Sequence, residues 1–322
     1  MDCVDLICMG FQKCGTTTLF EIFRQHPDVV LCRDVKEPMY YRVPFFIQMI
    51  GRGQKYYNWR YFAHVTDDDP RMRGEINAGL TFTHCAEKLN RDLDRDVKMI
   101  FMMRNPADRS YSAYKYFLAR GFLPEKDIDY DLEHGHAQGF DHYCHSVLDD
   151  RSQRSKIMKK RLKYLVFSQS NYAACIEDYL KYFPKTNMKF VIFEEFIKDQ
   201  HAACLDIYDF LGLKDYDSID YSVRANEGNE KPVSGHMARK FKVRKGWNYA
   251  FYEFMNITKW APGLYGIYKR YFERFRDRTL VPDDDRSPMY PQTRDYLMRY
   301  YRKDIKRLEG ITGKDLTAIW CK

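Results

Sequence analysis

Apolar residues along the chain gather in short blocks that seldom alternate with polar ones. Four such blocks, at 4–10 (VDLICMG), 28–32 (DVVLC), 97–103 (VKMIFMM) and 188–193 (MKFVIF), are too short for helices and read as strands buried on both faces. Between them the spacing becomes that of amphipathic helices. TTLFEIFRQH follows the first block, PADRSYSAYKYFLARG follows the third, and SNYAACIEDYLKYFP leads into the fourth. Strands alternating with helices predict an α/β fold built on a parallel sheet. The segment 194–211 reads as two short helices stopped by Gly212. A last helix is expected over roughly 291–309, with Pro291 near its start and Gly310 as its stop.

No repeat or flexible linker divides the chain, so residues 1–322 are expected to form one domain. Two stretches, 121–165 and 213–290, carry polar and irregular sequence and are expected to be substrate or lid insertions. Composition agrees with a globular protein, because 45% of residues are hydrophobic and 30% charged, which excludes a disordered chain. Lys and Arg total 53 against 45 Asp and Glu, and the resulting +8 favours an acidic ligand. No apolar run approaches the roughly 20 residues of a membrane span. The nine cysteines are odd in number, form no CxxC pair and sit largely in apolar runs, which favours a reducing compartment. Met1 leads almost directly into a strand-like run rather than a basic leader, so a cytoplasmic location is expected unless an anchor precedes this sequence.

The sharpest local signal is Gly10-Phe11-Gln12-Lys13-Cys14-Gly15-Thr16-Thr17-Thr18, between the first strand and its helix. A strand–loop–helix junction gathers unpaired N–H groups and the positive end of the helix dipole, which together attract an anion. Gly15 permits close approach, three threonines add hydroxyl donors, and Lys13 adds a mobile charge. An ordinary strand–helix turn with capping threonines shares this outline. The loop is not of the GxxxxGK[ST] type, since Lys13 precedes Gly15 by two residues instead of following it. A second signal follows the third block: Arg104-Asn105-Pro106-Ala107-Asp108-Arg109-Ser110-Tyr111-Ser112. It places an arginine where ligands bind in open α/β sheets, proline in a first helical turn, and a serine two turns on.

Together these segments resemble the sulfotransferase superfamily, whose 5′-phosphosulfate loop reads Lys-x-Gly-Thr-[Thr/Ser/Arg] and whose 3′-phosphate element reads Arg-x-Pro-x-x-Arg-x-x-Ser. Lys36-Glu37-Pro38-Met39-Tyr40-Tyr41 looks like the Lys-Glu-x-His-[Phe/Tyr]-[Phe/Tyr] segment of the branch that sulfates glycans such as heparan and chondroitin. The helix–strand unit at 167–196 and the closing YYRKDIKRLEGITGKDLTAIW are similar to that branch too. The resemblance implies a P-loop-like three-layer α/β fold, a central parallel sheet flanked by helices. It implies 3′-phosphoadenosine 5′-phosphosulfate (PAPS) as sulfuryl donor, with no obligatory metal. Lys13, Cys14, Gly15, Thr16, Thr17 and Thr18 would hold the 5′-phosphate, and Arg104 and Ser112 the 3′-phosphate. Lys13 would also neutralise the leaving oxygen, and Glu37 would be the general base. Lys36, Tyr40, Tyr41 and Glu75 are the expected substrate contacts, and a carbohydrate hydroxyl is the expected acceptor. A small molecule, lipid or tyrosine is the alternative acceptor, and a nucleotide-binding module without turnover the alternative to an enzyme. The branch also admits a lumenal Golgi location behind an anchor.

Several positions depart from the branch pattern. Met39 replaces its histidine, Ile76 stands where a substrate-binding lysine is common, and Ser170 replaces a glycine. Lys231, Ser234 or Arg239 would have to supply a contact for which no Lys-Gly-Arg is evident, and His64 and His84 are substitute bases. The cluster His134, His136, His142, Cys144 and His145 has no common zinc spacing, and Asp283-Asp284-Asp285 lacks the alternation of a calcium loop. The basic run from Arg151 to Lys163 is either a solvated helix face or a lure for an acidic acceptor. No nucleic-acid-binding signature accompanies it, and kinase-type Mg²⁺ ligands are absent.

Overall fold

A computed structural model describes residues 4–33, 36–38, 53–81, 85–93, 96–120, 122–149, 165–224 and 285–321. Five strands form its sheet: β1 (Leu6–Gly10), β2 (Val29–Leu31), β3 (Met72–Ile76), β4 (Lys98–Met103) and β5 (Met188–Ile192). They are ordered β2-β3-β1-β4-β5, and every pair is parallel. β1 lies at the centre, in register Leu6↔Gly74 with β3 and Leu6↔Lys98 with β4. Its LICMG run is buried throughout, as a strand covered on both faces requires. From β1 the chain runs outward to one edge, returns through β3, and crosses to β4 and β5. The direction reverses between β1 and β4, so a crevice opens beyond their C-terminal ends.

The helices are α1 (Thr16–Phe23), α2 (Gly53–Tyr61), α3 (Cys85–Asp92), α4 (Pro106–Ala119), α5 (Glu125–His134) and α6 (His136–Leu148). They continue with α7 (Tyr172–Leu180), α8 (Phe193–Lys198), α9 (Gln200–Leu211), α10 (Pro291–Thr312) and α11 (Leu316–Trp320). This is the P-loop-like arrangement expected, a parallel sheet flanked by helices. α1 packs on β1, while α10 packs on α4 and α7, with Leu297, Tyr301 and Leu308 buried in the core. Among the described residues no helix is long and apolar enough to cross a membrane.

Two local features differ from the sequence-based expectation, and a third gives structure to a stretch whose elements the sequence left open. β3 has no apolar block because it carries Arg73 and Glu75 inward. The Arg73 N–H donates to Asp5 Oδ2 at 2.7 Å and its guanidinium to the Thr66 carbonyl at 3.0 Å, so the strand buries polarity with partners. Residues 125–148 form the α5–α6 hairpin, with Phe140, Tyr143, Cys144 and Val147 buried. The last helix does not stop at Gly310. It continues to Thr312 and ends at Gly313, whose φ of 72° supplies the left-handed turn; Gly310 faces open space, where helical glycine costs only propensity. α8, α9 and their stop at Gly212 are as read from the sequence.

Candidate active site

β1 delivers its chain to the crevice, where the loop turns sharply. Lys13 takes φ 73° and Gly15 φ 89°, both left-handed; Lys13 is the one non-glycine residue so strained among those described. Gly15 is the N-cap of α1, and a Cβ there would meet the Phe193 ring at 2.8 Å. Thus the first N–H groups of α1 stay uncovered by side-chain caps. Thr16 and Thr18 are buried and Thr17 is half-buried. Lys13 Nζ stands 5.0 Å above the Tyr116 ring of α4.

Cys14 faces inward, with Sγ 4.0 Å from Tyr172 Oη, and burial pushes its thiol up to about 12. It is therefore a neutral wall of the loop, and any phosphate contact it makes comes from its backbone.

Arg104 enters from β4. Its Nη1 lies 3.5 Å from the Lys13 carbonyl, and its guanidinium rests 4.8 Å over the Phe193 ring. Phe193 thus touches both halves of the site, filling the space beside Gly15 and carrying Arg104. Asn105 caps α4, accepting from Ala107 N at 3.0 Å and Asp108 N at 3.3 Å. Ser112 is half-buried on that helix.

Arg109, which shares the same sequence element, is fully buried. Its Nε donates to the Gln12 carbonyl at 3.0 Å, and Nη1 donates to the Val166 carbonyl at 2.9 Å and Ser170 Oγ at 3.1 Å. It braces the loop after β1 from beneath. The departure at Ser170 has a use here, since its hydroxyl accepts from Arg109 and bonds with Ser110 at 3.0 Å.

Lys36, Glu37 and Pro38 lie alongside. Lys36 Nζ donates to Thr16 Oγ1 at 3.1 Å and Thr17 Oγ1 at 2.8 Å, so it joins the loop expected to hold the 5′-phosphate. Burial lowers its pKa, against the pull of Glu37, Cys8 and Glu21. Glu37 Oε1 is 3.9 Å from Lys36 Nζ, and its side chain is 38% exposed, enough to meet an incoming molecule. Asn77 secures the turn from below, donating to the Pro38 carbonyl and to Glu75 Oε1, each at 2.7 Å. Tyr57 donates to the other oxygen of Glu75. Glu75 is fully buried, and burial raises its carboxyl to about 7. Ile76 is buried as well.

The loop after β1, Arg104 and Lys36 therefore converge at one strand end, with Glu37 beside them and Glu75 beneath. Tyr40, Tyr41, His84, Lys231, Ser234, Arg239, the basic run 151–163 and Asp283-Asp284 lie outside the described residues. His64 is exposed and stacks on Phe62. The histidine-rich segment disperses: His136 pairs with Asp131 at 2.7 Å, His145 with Asp149 at 2.8 Å, and Tyr130 stacks between His134 and His142. Among the described residues no cluster of three or more His, Cys, Asp or Glu suits a metal ion. Sequence reasoning missed the supporting roles of Arg109, Asn77, Tyr57, Tyr172 and Phe193. Only Arg109 carried a signal, its fixed place in the arginine–proline element.

Residues 4–260 match the sulfotransferase domain family. The chain is 26% identical over 208 residues to mouse heparan sulfate glucosamine 3-O-sulfotransferase 6, covering 65% of this chain and 52% of that protein. It is 28% identical over 214 residues to mouse heparan sulfate glucosamine 3-O-sulfotransferase 3B1, covering 65% of this chain and 46% of that protein. The chain thus aligns with about half the length of these relatives. A sulfotransferase structure from Alicyclobacillus acidocaldarius has the same fold, with a TM-score of 0.60 and 20% identity over 99% of both chains. The chain belongs to the sulfotransferase domain family.

Proposed function

We propose that this protein transfers a sulfuryl group from PAPS to a carbohydrate hydroxyl. The convergence of Arg104 with the Lys13–Thr18 loop carries the reading, because it brings two separate cationic elements together beyond the neighbouring ends of β1 and β4, with Arg104 Nη1 3.5 Å from the Lys13 carbonyl. The residues suit a nucleotide with phosphates at both ends. The uncapped N-terminus of α1, the threonine hydroxyls and Lys36 fit a 5′-phosphate. Arg104, which has no carboxylate partner among the described residues, and Ser112 fit a 3′-phosphate. Bound there, PAPS supplies the sulfuryl group, which passes to the acceptor oxygen and leaves 3′-phosphoadenosine 5′-phosphate (PAP).

Lys13, held in a strained conformation at the mouth of the loop, neutralises charge on the leaving phosphate oxygen. Glu37 accepts the proton of the acceptor hydroxyl. Asn77 holds its turn through the Pro38 carbonyl, and Glu75 and Tyr57 hold Asn77's side of the network. Glu75 thus acts by positioning, since its carboxyl is fully buried.

A carbohydrate acceptor is supported by the relatives, named as heparan sulfate sulfotransferases at 26% and 28% identity. Ile76 offers no cation at the position where that branch often places one, which favours a lightly charged glycan or glycolipid. The test is release of PAP from PAPS with and without oligosaccharide. Release that depends on the oligosaccharide supports the reading, and release indifferent to it removes the carbohydrate acceptor.

A further inference from the structure

The penultimate helix ends at Thr312, yet the chain turns back and sets one more short helix, α11, against the nucleotide crevice. Its last residue, Trp320, is 1% exposed and closes a ring of hydrogen bonds. Trp320 Nε1 donates to Glu194 Oε2 at 3.0 Å. Glu194 Oε1 accepts from the backbone N–H of Asn105 at 2.8 Å. Asn105 Nδ2 donates to the Trp320 carbonyl at 2.8 Å. Three residues separated by as many as 215 positions are thereby joined through one carboxylate, and both of its oxygens are used.

The position of this ring matters more than its strength. The peptide unit between Arg104 and Asn105 has two polar atoms, and both are held. Tyr172 Oη donates to the Arg104 carbonyl at 2.8 Å, and Glu194 accepts from the Asn105 N–H. Trp320 backs both holders: it bonds Glu194, and its ring lies 6.2 Å from that of Tyr172. The plane of this peptide sets the direction in which the Arg104 side chain leaves the strand. The guanidinium then lies over Phe193, the residue just before Glu194.

We propose that Trp320 is a positioning residue that sets selectivity for a 3′-phosphorylated nucleotide by fixing the Arg104–Asn105 peptide through Glu194. The proposal rests on the reading of Arg104 as the 3′-phosphate ligand. Two physical effects act together. A peptide held at both ends presents Arg104 in one direction, and a misplacement of about 1 Å at such a contact is costly. The Glu194 carboxylate, held by two N–H donors, is also kept from pairing with Arg104. Without the Trp320 donor it becomes an anion competing with the phosphate for the same guanidinium. The ring's own hydrogen bonds involve no residue of the loop after β1, and its links to that loop, Arg104 at the Lys13 carbonyl and Tyr172 at Cys14, leave Lys36 and the threonine hydroxyls in place to hold the 5′-phosphate.

The experiment measures dissociation constants of PAP and AMP by calorimetry for the wild-type chain, Trp320→Phe and Trp320→Ala. AMP lacks the 3′-phosphate and reports the 5′ side and the fold. Trp320→Phe keeps an aromatic ring and removes only the donor. PAP affinity should fall about tenfold in this variant, the scale of one charge-assisted hydrogen bond, while AMP affinity stays within twofold. Trp320→Ala should lose more selectivity in the same direction; if it melts too low, Trp320→Phe carries the test. Equal weakening of both nucleotides, or no change in either, overturns the proposal. A wild-type chain that binds PAP and AMP alike removes the 3′-phosphate reading itself, and this inference with it.

Discussion

Lys36 Nζ donates to Thr17 Oγ1 at 2.8 Å, tying the turn that carries Glu37 to the first turn of α1. A residue expected to face the acceptor thus also joins the loop proposed to hold the 5′-phosphate. Lys36→Met should weaken PAP and AMP alike, because both share the 5′-phosphate, by about tenfold each. Weakening of PAP alone would place Lys36 on the 3′ side instead.

Arg104 makes a different demand. At a hundredfold excess over its Kd, PAP should raise the melting temperature by about 5 °C, and AMP at the same concentration by much less. Arg104→Ala should remove that difference. Equal shifts from the two nucleotides in the wild-type chain would leave no role for a 3′-phosphate site.

The left-handed turn at Gly15 is a stringent test of loop geometry. Gly15→Ala puts a methyl group 2.8 Å from Phe193 at φ 89°, so both contact and backbone oppose it. Stability should fall by about 1–3 kcal/mol, and PAP should lose its stabilising effect. A variant with wild-type melting and binding would show that the loop relaxes freely.

The parts of this site visible in the sequence are those fixed by local pattern. β1 is a continuous apolar run, β4 and β5 are apolar but for Lys98 and Lys189, and the loop after β1 and the element at Arg104 announce themselves by spacing. β3 was hidden because Arg73 and Glu75 interrupt its apolar face, and their burial depends on Asp5, Thr66, Tyr57 and Asn77 from elsewhere in the chain. The stop of α10 was misplaced because Gly310 and Gly313 look alike until φ is known. Lys36 could not be assigned to the loop after β1 from sequence, since its partners lie 19 and 20 residues away. The brace by Arg109 is likewise tertiary: a buried guanidinium reads locally as one more helical charge.

Glu75 gives a signature in pH. Burial lifts its carboxyl from 4.5 to about 7, with Glu37 adding to the rise and Tyr57 and Asn77 opposing it. The folded protein therefore keeps this proton where the unfolded chain has lost it. Its contribution to stability is full below about pH 4.5, declines as pH rises toward about 7, and is level above that. Glu75→Gln should flatten this decline in melting temperature, and an unchanged slope would assign the proton to another group.

Catalysis separates Lys13 from Glu37. Lys13→Ala should lower turnover by about 10²–10³, the usual effect of losing one charge-stabilising group. Glu37→Gln should lower turnover by about 10²–10⁴ yet retain the stabilisation by PAP. Full activity of Glu37→Gln at saturating acceptor would remove it as the base.

The central claim is sulfuryl transfer to a sugar hydroxyl, and the most direct measurement follows labelled sulfate from PAPS into a mixed panel of acceptors. The panel holds oligosaccharides, glycolipids, lipids, phenols and tyrosine peptides, each incubated with the wild-type chain and with Lys13→Ala. The account predicts label on an oligosaccharide or glycolipid with the wild-type chain and almost none with Lys13→Ala. Label confined to phenols, peptides or unglycosylated lipids, or equal labelling by the two proteins, would contradict it.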